Sequence, residues 1–214
     1  LGDVYKRQVL CNYLGTDDFV SYAKEYLNKI KEYNTEDESY GYKSKLKIAD
    51  AVWVDNNLTL QEEFKNSVTN GFGAEVENVD FSAAEKTCGI INSWCDKNTE
   101  GLIPKIITPD LINDTTGLCL TNSLYFESGW SGEPWNVSDT EEKFGNNEKT
   151  KYMTCAGDRY YENDKATAFG REYANGLSFV GILPVDEGDF TLEDLDIGGL
   201  LKSQPEYDLS LIHI

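Results

Sequence analysis

Hydrolytic, redox or metal chemistry in this chain would have to come from histidines, cysteines and paired carboxylates. The sequence places few of them usefully. Its one histidine, His213, is the next-to-last residue, so the chain has no HExxH pair, and no cysteine–histidine cluster has zinc-like spacing. Five cysteines (Cys11, Cys88, Cys95, Cys119, Cys155) include no CxxC pair and cannot all pair with one another. Cys88 and Cys95 fall in a helical pattern and Cys119 in a strand pattern, where a free thiol behaves as a small buried hydrophobe; a single disulfide stays open. The adjacent acids Glu62-Glu63, Glu141-Glu142 and Asp186-Glu187 project apart and suit solvated segments better than a glycosidase pair. There is no GxSxG elbow, GxGxxG turn or phosphate-binding Walker loop. Neither enzymatic activity nor a metal or cofactor is expected.

Charge narrows the partners. Lys and Arg total 19 against 38 Asp and Glu, a formal charge of -19, which repels phosphate backbones and anionic lipid. Nucleic acid and membrane partners are not expected, and no apolar run approaches the roughly 18 residues of a spanning helix. Asn57, Asn113 and Asn136 each open an Asn-x-Ser/Thr triplet, a pattern common by chance that fixes no compartment.

One polar residue is out of place in its element. Over 116–126 the even positions Leu118, Leu120, Leu124 and Phe126 share a strand face with Asn122, opposite Gly117, Cys119, Thr121 and Ser123. An unpaired amide on a buried face costs about 1–3 kcal/mol, so Asn122 is expected to have a hydrogen-bond partner on a neighbouring element.

The other elements are read from their periods. Phe19, Ala23, Tyr26, Leu27, Ile30 and Tyr33 recur at helical spacing after the acidic start Asp17-Asp18. A polar connection over 34–42 leads to a strand over 46–54, apolar on both faces except at Asp50, which needs a partner if buried. Thr59 with Glu62, and Ser82 with Glu85, read as capping boxes. The first opens a helix carrying Leu60, Phe64 and Val68 that Gly71 and Gly73 can end; the second opens a helix with the stripe Cys88, Ile91, Trp94 and Cys95 that Gly101 can close. Between them, 75–81 reads as a strand. Later, 166–173 and 177–183 flank Asn175-Gly176, a hairpin signal, Pro184 ends the second strand, and Thr191 caps a helix containing Leu192 and Leu195. Helix and strand alternate before a mostly antiparallel region, an α+β pattern.

The stretch Thr121-Asn122-Ser123-Leu124-Tyr125-Phe126-Glu127-Ser128-Gly129-Trp130 resembles a segment of the serpin family, in which an Asn on a strand precedes aromatic residues and a Trp. It follows, in the family's order, Phe72-Gly73-Ala74-Glu75-Val76-Glu77-Asn78-Val79-Asp80-Phe81, then Ile91-Asn92-Ser93-Trp94 and Asn98-Thr99-Glu100-Gly101-Leu102-Ile103. The region 166–184 is similar to the family's hairpin before a Leu-Pro turn. Glu127 and Ser128 depart from the basic residue and glycine common in the family, and Met153 stands in a segment usually richer in methionine. The resemblance runs over 9–208. Residues 1–8 and 209–214 look like translated adapter sequence, so the expected organisation is a partial serpin domain between two non-native ends. Setting those ends aside removes the histidine and keeps the acidic excess.

The resemblance implies a partial serpin fold: a large mixed sheet A containing the strands 46–54, 75–81 and 116–126, crossed by the helix that follows Ser82, plus part of an antiparallel β region. It implies that Asn92 and Asn122 stand near the region where the sheet opens and Trp130 beside the breach where the reactive loop first enters. It implies an extracellular inhibitor whose partner is a serine or cysteine protease. The protease cleaves a loop, stays acylated, and is dragged as the loop becomes a new strand of sheet A. That reactive loop is expected to lie outside this chain, so the chain itself is expected not to inhibit. The outer edge of the Asn122 strand is then left uncovered, and the isolated piece is expected to aggregate or stay partly unfolded. Two other readings compete: a non-inhibitory serpin serving as carrier, chaperone or storage protein, and an acidic α+β binding domain outside the family.

Overall fold

The computed structural model describes residues 15–37, 42–132, 134–144, 148–155, 159–185, 194–202 and 212–213. The chain divides into two compact units, residues 1–36 with 43–127 and residues 37–42 with 128–214. Among the described residues, no helix is long and apolar enough to cross a membrane.

The first unit is built on helix α1 (Phe19–Lys31), strands β1 (Thr35–Asp37) and β2 (Tyr42–Asp55), helix α2 (Glu62–Phe72), strand β3 (Glu75–Val79), helix α3 (Ala84–Asn98) and strand β4 (Leu118–Glu127). Asp18 caps α1 by accepting the Ser21 amide at 3.0 Å, and those hydrogen bonds hold its carboxyl below the ordinary value. Strand β2 pairs in parallel with β3, from Ala51↔Glu75 to Asp55↔Val79. A parallel pair needs a crossover, and α2 supplies it. On its other side β2 pairs antiparallel with β4, from Lys45↔Glu127 to Val54↔Leu118.

Neither capping box forms. The N-cap of α2 is Gln61, and that of α3 is Ala83, without side-chain caps. Ahead of α3 the work falls to Asp80, whose carboxylate accepts from the Ser82 amide at 3.0 Å and whose carbonyl accepts from the Thr87 hydroxyl at 2.6 Å. Gly73 ends α2 as expected, in the left-handed region at φ 67°. Gly71 instead lies buried within the helix: a β-carbon there would sit 2.6 Å from Cγ1 of Val20, so its missing side chain lets α1 and α2 approach.

Helix α3 covers one sheet face. Its stripe Cys88, Ile91, Trp94 and Cys95 is buried against Ala51, Trp53, Val79 and Phe81, with the Trp53 and Trp94 rings edge to face at 6.1 Å. Fully burying a side chain such as Ile91 or Phe81 stabilises by roughly 1.5–3 kcal/mol, so this layer anchors the unit. On the opposite face Val52, Val54 and Ala74 pack with Leu60, Val68 and Val76. Strand β2 is thus covered on both faces only over 51–55; residues 45–50 are half-buried.

The second unit is antiparallel. Strands β5 (Asn136–Phe144) and β6 (Glu148–Cys155) form a hairpin, β7 (Arg159–Glu162), β8 (Ala166–Glu172) and β9 (Ser178–Pro184) form a meander, and a short helix α4 (Ile197–Leu200) follows. Strand β10 (Ile212–His213) pairs with β6 opposite Cys155 and Thr154. The turn between β8 and β9 holds the three residues 174–176: the Tyr173 amide donates to the Leu177 carbonyl at 2.7 Å, and Gly176 alone of them takes positive φ, 83°, as a three-residue hairpin loop requires. Ala166, Ala168, Leu195 and Leu200 form the unit's core. Asp196 caps α4 by accepting from Gly199 at 3.1 Å, two residues beyond the expected first turn; Thr191, Leu192 and Glu193 lie outside the described residues.

Candidate functional site

Asn122 has the partner its position requires. Its side-chain amide donates to Oδ1 of Asp50 at 2.8 Å, and the two residues face each other across the β2–β4 ladder. Each is the polar interruption of its own strand, and one interruption answers the other. The face they share is not buried, however. Leu118, Leu120 and Leu124 are 42%, 66% and 57% exposed. The apolar alternation of β4 is real, but no described element covers it: the α3 layer takes the opposite face, and α2 packs toward Val52 and Val54. Phe19, Tyr22, Tyr26 and Phe72 form with Asp50 and Asn122 an open apolar groove of about 510 Å³.

Asn92 stands on the other side of the sheet, so the structure does not bring the two asparagines together. Its carbonyl oxygen accepts from the amides of Ile106 at 2.9 Å and Ile107 at 3.1 Å, and its amide donates to the Ile107 carbonyl at 2.9 Å. Helix α3 thereby staples the segment that leads back to β4. Thr99, at the helix end, bonds the Cys95 carbonyl at 2.8 Å and accepts from Ile103 at 3.1 Å. Both residues fasten the crossing helix and its return segment to one another. Among the described residues β4 pairs with β2 alone, and no strand is seated along its outer edge.

In the second unit Trp130 bridges Tyr173 and stacks on its ring at 4.3 Å. Phe179 and Trp135 meet it edge-on, at 6.1 Å and 5.7 Å. Burial pushes the Tyr173 hydroxyl above its ordinary value. The Arg171 guanidinium lies 5.5 Å over the Trp130 ring and 4.4 Å over the Trp135 ring. Sequence reasoning missed Arg171 and Trp135. A lone cation in the apolar run of β8 is the signal that marks it, since a charge there must be matched or stacked.

The remaining chemistry-bearing residues stay apart. Cys88, Cys95 and Cys119 are free thiols, each pushed above its ordinary value by burial. No group of three or more His, Cys, Asp or Glu side chains among the described residues is arranged to hold a metal ion. Glu62-Glu63 and Glu141-Glu142 are exposed; Asp186-Glu187 and Cys11 lie outside the described residues.

Comparison with known proteins agrees with this architecture. The chain is 36% identical over 115 residues to Serpin-ZX of Hordeum vulgare, a match covering 51% of this chain and 29% of that protein. It is 27% identical over 200 residues to the leukocyte elastase inhibitor of Homo sapiens, covering 89% of this chain and 51% of that protein. The fold is similar to the crystal structure of Serpin48 from Tenebrio molitor, with TM-score 0.73 and 24% identity over 92% of this chain and 54% of that one. The chain thus spans about half the length, or less, of these relatives. The sequence profile of the family described as Serpin (serine protease inhibitor) matches residues 7–197. A mixed sheet crossed by a helix, an antiparallel region beyond it and that profile match agree: the chain belongs to the serpin family.

Proposed function

We propose that the protein containing this chain inhibits a serine or cysteine protease by accepting its own cleaved loop as a new strand beside β4. The observation that carries this reading is the outer edge of β4, which takes no strand among the described residues while its inner edge is paired to β2. An unpaired edge offers a row of hydrogen-bonding groups to an incoming strand. Insertion would satisfy them and bury side chains on a face that already carries exposed leucines. Asn122 and its partner Asp50 then stand at the sheet's opening region, Asn92 holds the crossing helix closed over it, and Trp130 marks the breach where the loop enters. The family's description as a serine protease inhibitor supports a protease as partner. The reading assigns the chain neither enzymatic activity nor a reactive-loop residue, and takes the protein to act outside the cell.

The test is to incubate the full-length protein with trypsin-, chymotrypsin- and elastase-like serine proteases and a papain-like cysteine protease. The expected product is a covalent complex that survives denaturing electrophoresis. Quantitative cleavage of the protein with full recovery of protease activity in every case would overturn the trap and leave a carrier, chaperone or storage role.

A further inference from the structure

Strand insertion requires no buried cation, yet Arg171 is 4% exposed. Taking a guanidinium out of water is costly unless its charge is met. Here its Cζ lies over two indoles, 4.4 Å from the ring centre of Trp135 and 5.5 Å from that of Trp130. Both distances are within the range where the negative face of an aromatic ring attracts a cation, and the attraction grows when water is excluded. Arginine suits this place better than lysine because a flat, weakly hydrated head can stack.

The position matters because of what Trp130 holds. Trp130 bridges Tyr173, the Ser131 amide donates to the Glu172 carbonyl at 2.9 Å, and the Ala174 amide donates to the Gly129 carbonyl at 2.9 Å. Those bonds dock the segment three residues beyond β4 onto the end of β8, the strand that carries Arg171. An indole free to rotate would loosen that docking; one fixed by a cation and by the Tyr173 stack would not.

We propose that Arg171 is a positioning residue for Trp130: its guanidinium, held over Trp130 and Trp135, fixes the indole that docks the segment after β4 onto β8. Its consequence for inhibition rests on the strand-insertion reading; the clamp itself rests on geometry alone.

Fluorine NMR of the full-length protein labelled with 5-fluorotryptophan separates the two: single Trp→Phe substitutions assign the resonances of the four tryptophans of this chain, of which Trp53 and Trp94 lie in the other unit and serve as controls. In Arg171→Met, which keeps the volume and removes the charge, the Trp130 and Trp135 resonances shift and broaden while those of Trp53 and Trp94 stay. In Arg171→Lys, which keeps the charge, the two resonances return toward their original positions. Unchanged Trp130 and Trp135 resonances in the methionine variant, or identical spectra for the Met and Lys variants, would overturn the clamp and leave Arg171 as filler. Should Arg171→Met collapse all four resonances, Trp135→Leu decides: Trp130 must shift while Trp53 and Trp94 do not, and no shift refutes the proposal. In the full-length protein the methionine variant is expected to change the rate of covalent complex formation about tenfold, the factor equivalent to about 1.4 kcal/mol in a barrier. If the unmodified protein forms no complex with any protease, the inhibitory reading fails while the fluorine spectra still decide the role of Arg171.

Discussion

Replacing Thr121 by valine should destabilise the sheet although the side chain keeps its shape. Trp53 is 1% exposed, and its indole N–H donates to the Thr121 hydroxyl at 2.9 Å. Valine has the same branched outline and suits a strand, but it cannot accept that bond. Leaving a buried donor unpaired costs about 1–3 kcal/mol. The methyl that replaces the hydroxyl returns less, because a fully buried methylene is worth about 0.8 kcal/mol and position 121 is only half-buried. The net expectation is a loss of about 1–2 kcal/mol. With a urea dependence of roughly 1–3 kcal/mol per molar, the midpoint of the full-length protein falls by about 0.5–1 M, followed through the near-ultraviolet circular dichroism to which the Trp53–Trp94 pair contributes. Trp53→Phe removes the donor, so Thr121→Val in that background should cost nearly nothing. Equal costs in both backgrounds, or an unmoved midpoint in the single variant, would refute the assignment of this bond as a stabilising side-chain link between β2 and β4.

Asn92→Ala frees two amides and a carbonyl at Ile106 and Ile107; hydrogen exchange at those two amides should accelerate about tenfold or more while the β2–β3 ladder keeps its protection, and unchanged exchange would remove Asn92 from the staple. Because burial raises the Cys88, Cys95 and Cys119 thiols above the ordinary thiol value, the fold favours their protonated form. Their stabilisation is complete below that value and is lost as pH rises through the folded-state values. Iodoacetamide labelling of Cys88, Cys95 and Cys119 in the native full-length protein should stay slow at pH values where the urea-unfolded protein reacts, with the half-buried Cys119 reacting before the buried Cys88 and Cys95; labelling of these three at the unfolded rate would contradict this.

Much of the architecture was legible because it follows from period and from motif. The spacing of Phe19, Ala23, Tyr26, Leu27 and Ile30 marks α1, the stripe Cys88, Ile91, Trp94 and Cys95 marks the buried side of α3, and the motif around Asn122 brings the strands into one sheet. Local signals did less well where several residues compete for one job. Thr59 and Ser82 have the right chemistry to cap, but α2 and α3 begin after Gln61 and Ala83, and Asp80 takes over the bonding ahead of α3. Alternation told which β4 residues share a face, not whether anything covers it, since coverage depends on elements distant in sequence. What receives Arg171 was illegible for the same reason: its two indoles stand 36 and 41 residues earlier, counted directly along the chain.

The Asp50–Asn122 bond joins residues 72 positions apart, so the β2–β4 pairing closes a long stretch of chain that holds α2, β3 and α3, and the search for its register can err. A slip by one residue is rejected at once, because it turns every side chain to the opposite face. A slip by two is subtler: it keeps each face and would lay Asn122 against Ile48 or Val52, and Asp50 against Leu120 or Leu124. Hydrophobicity cannot tell such an alignment from the right one. Two polar residues, each stranded beside a leucine, isoleucine or valine, can. The pair works as an address mark written once on each strand, and Asp50→Leu with Asn122→Leu would erase it and admit misaligned chains without weakening the sheet's apolar attraction.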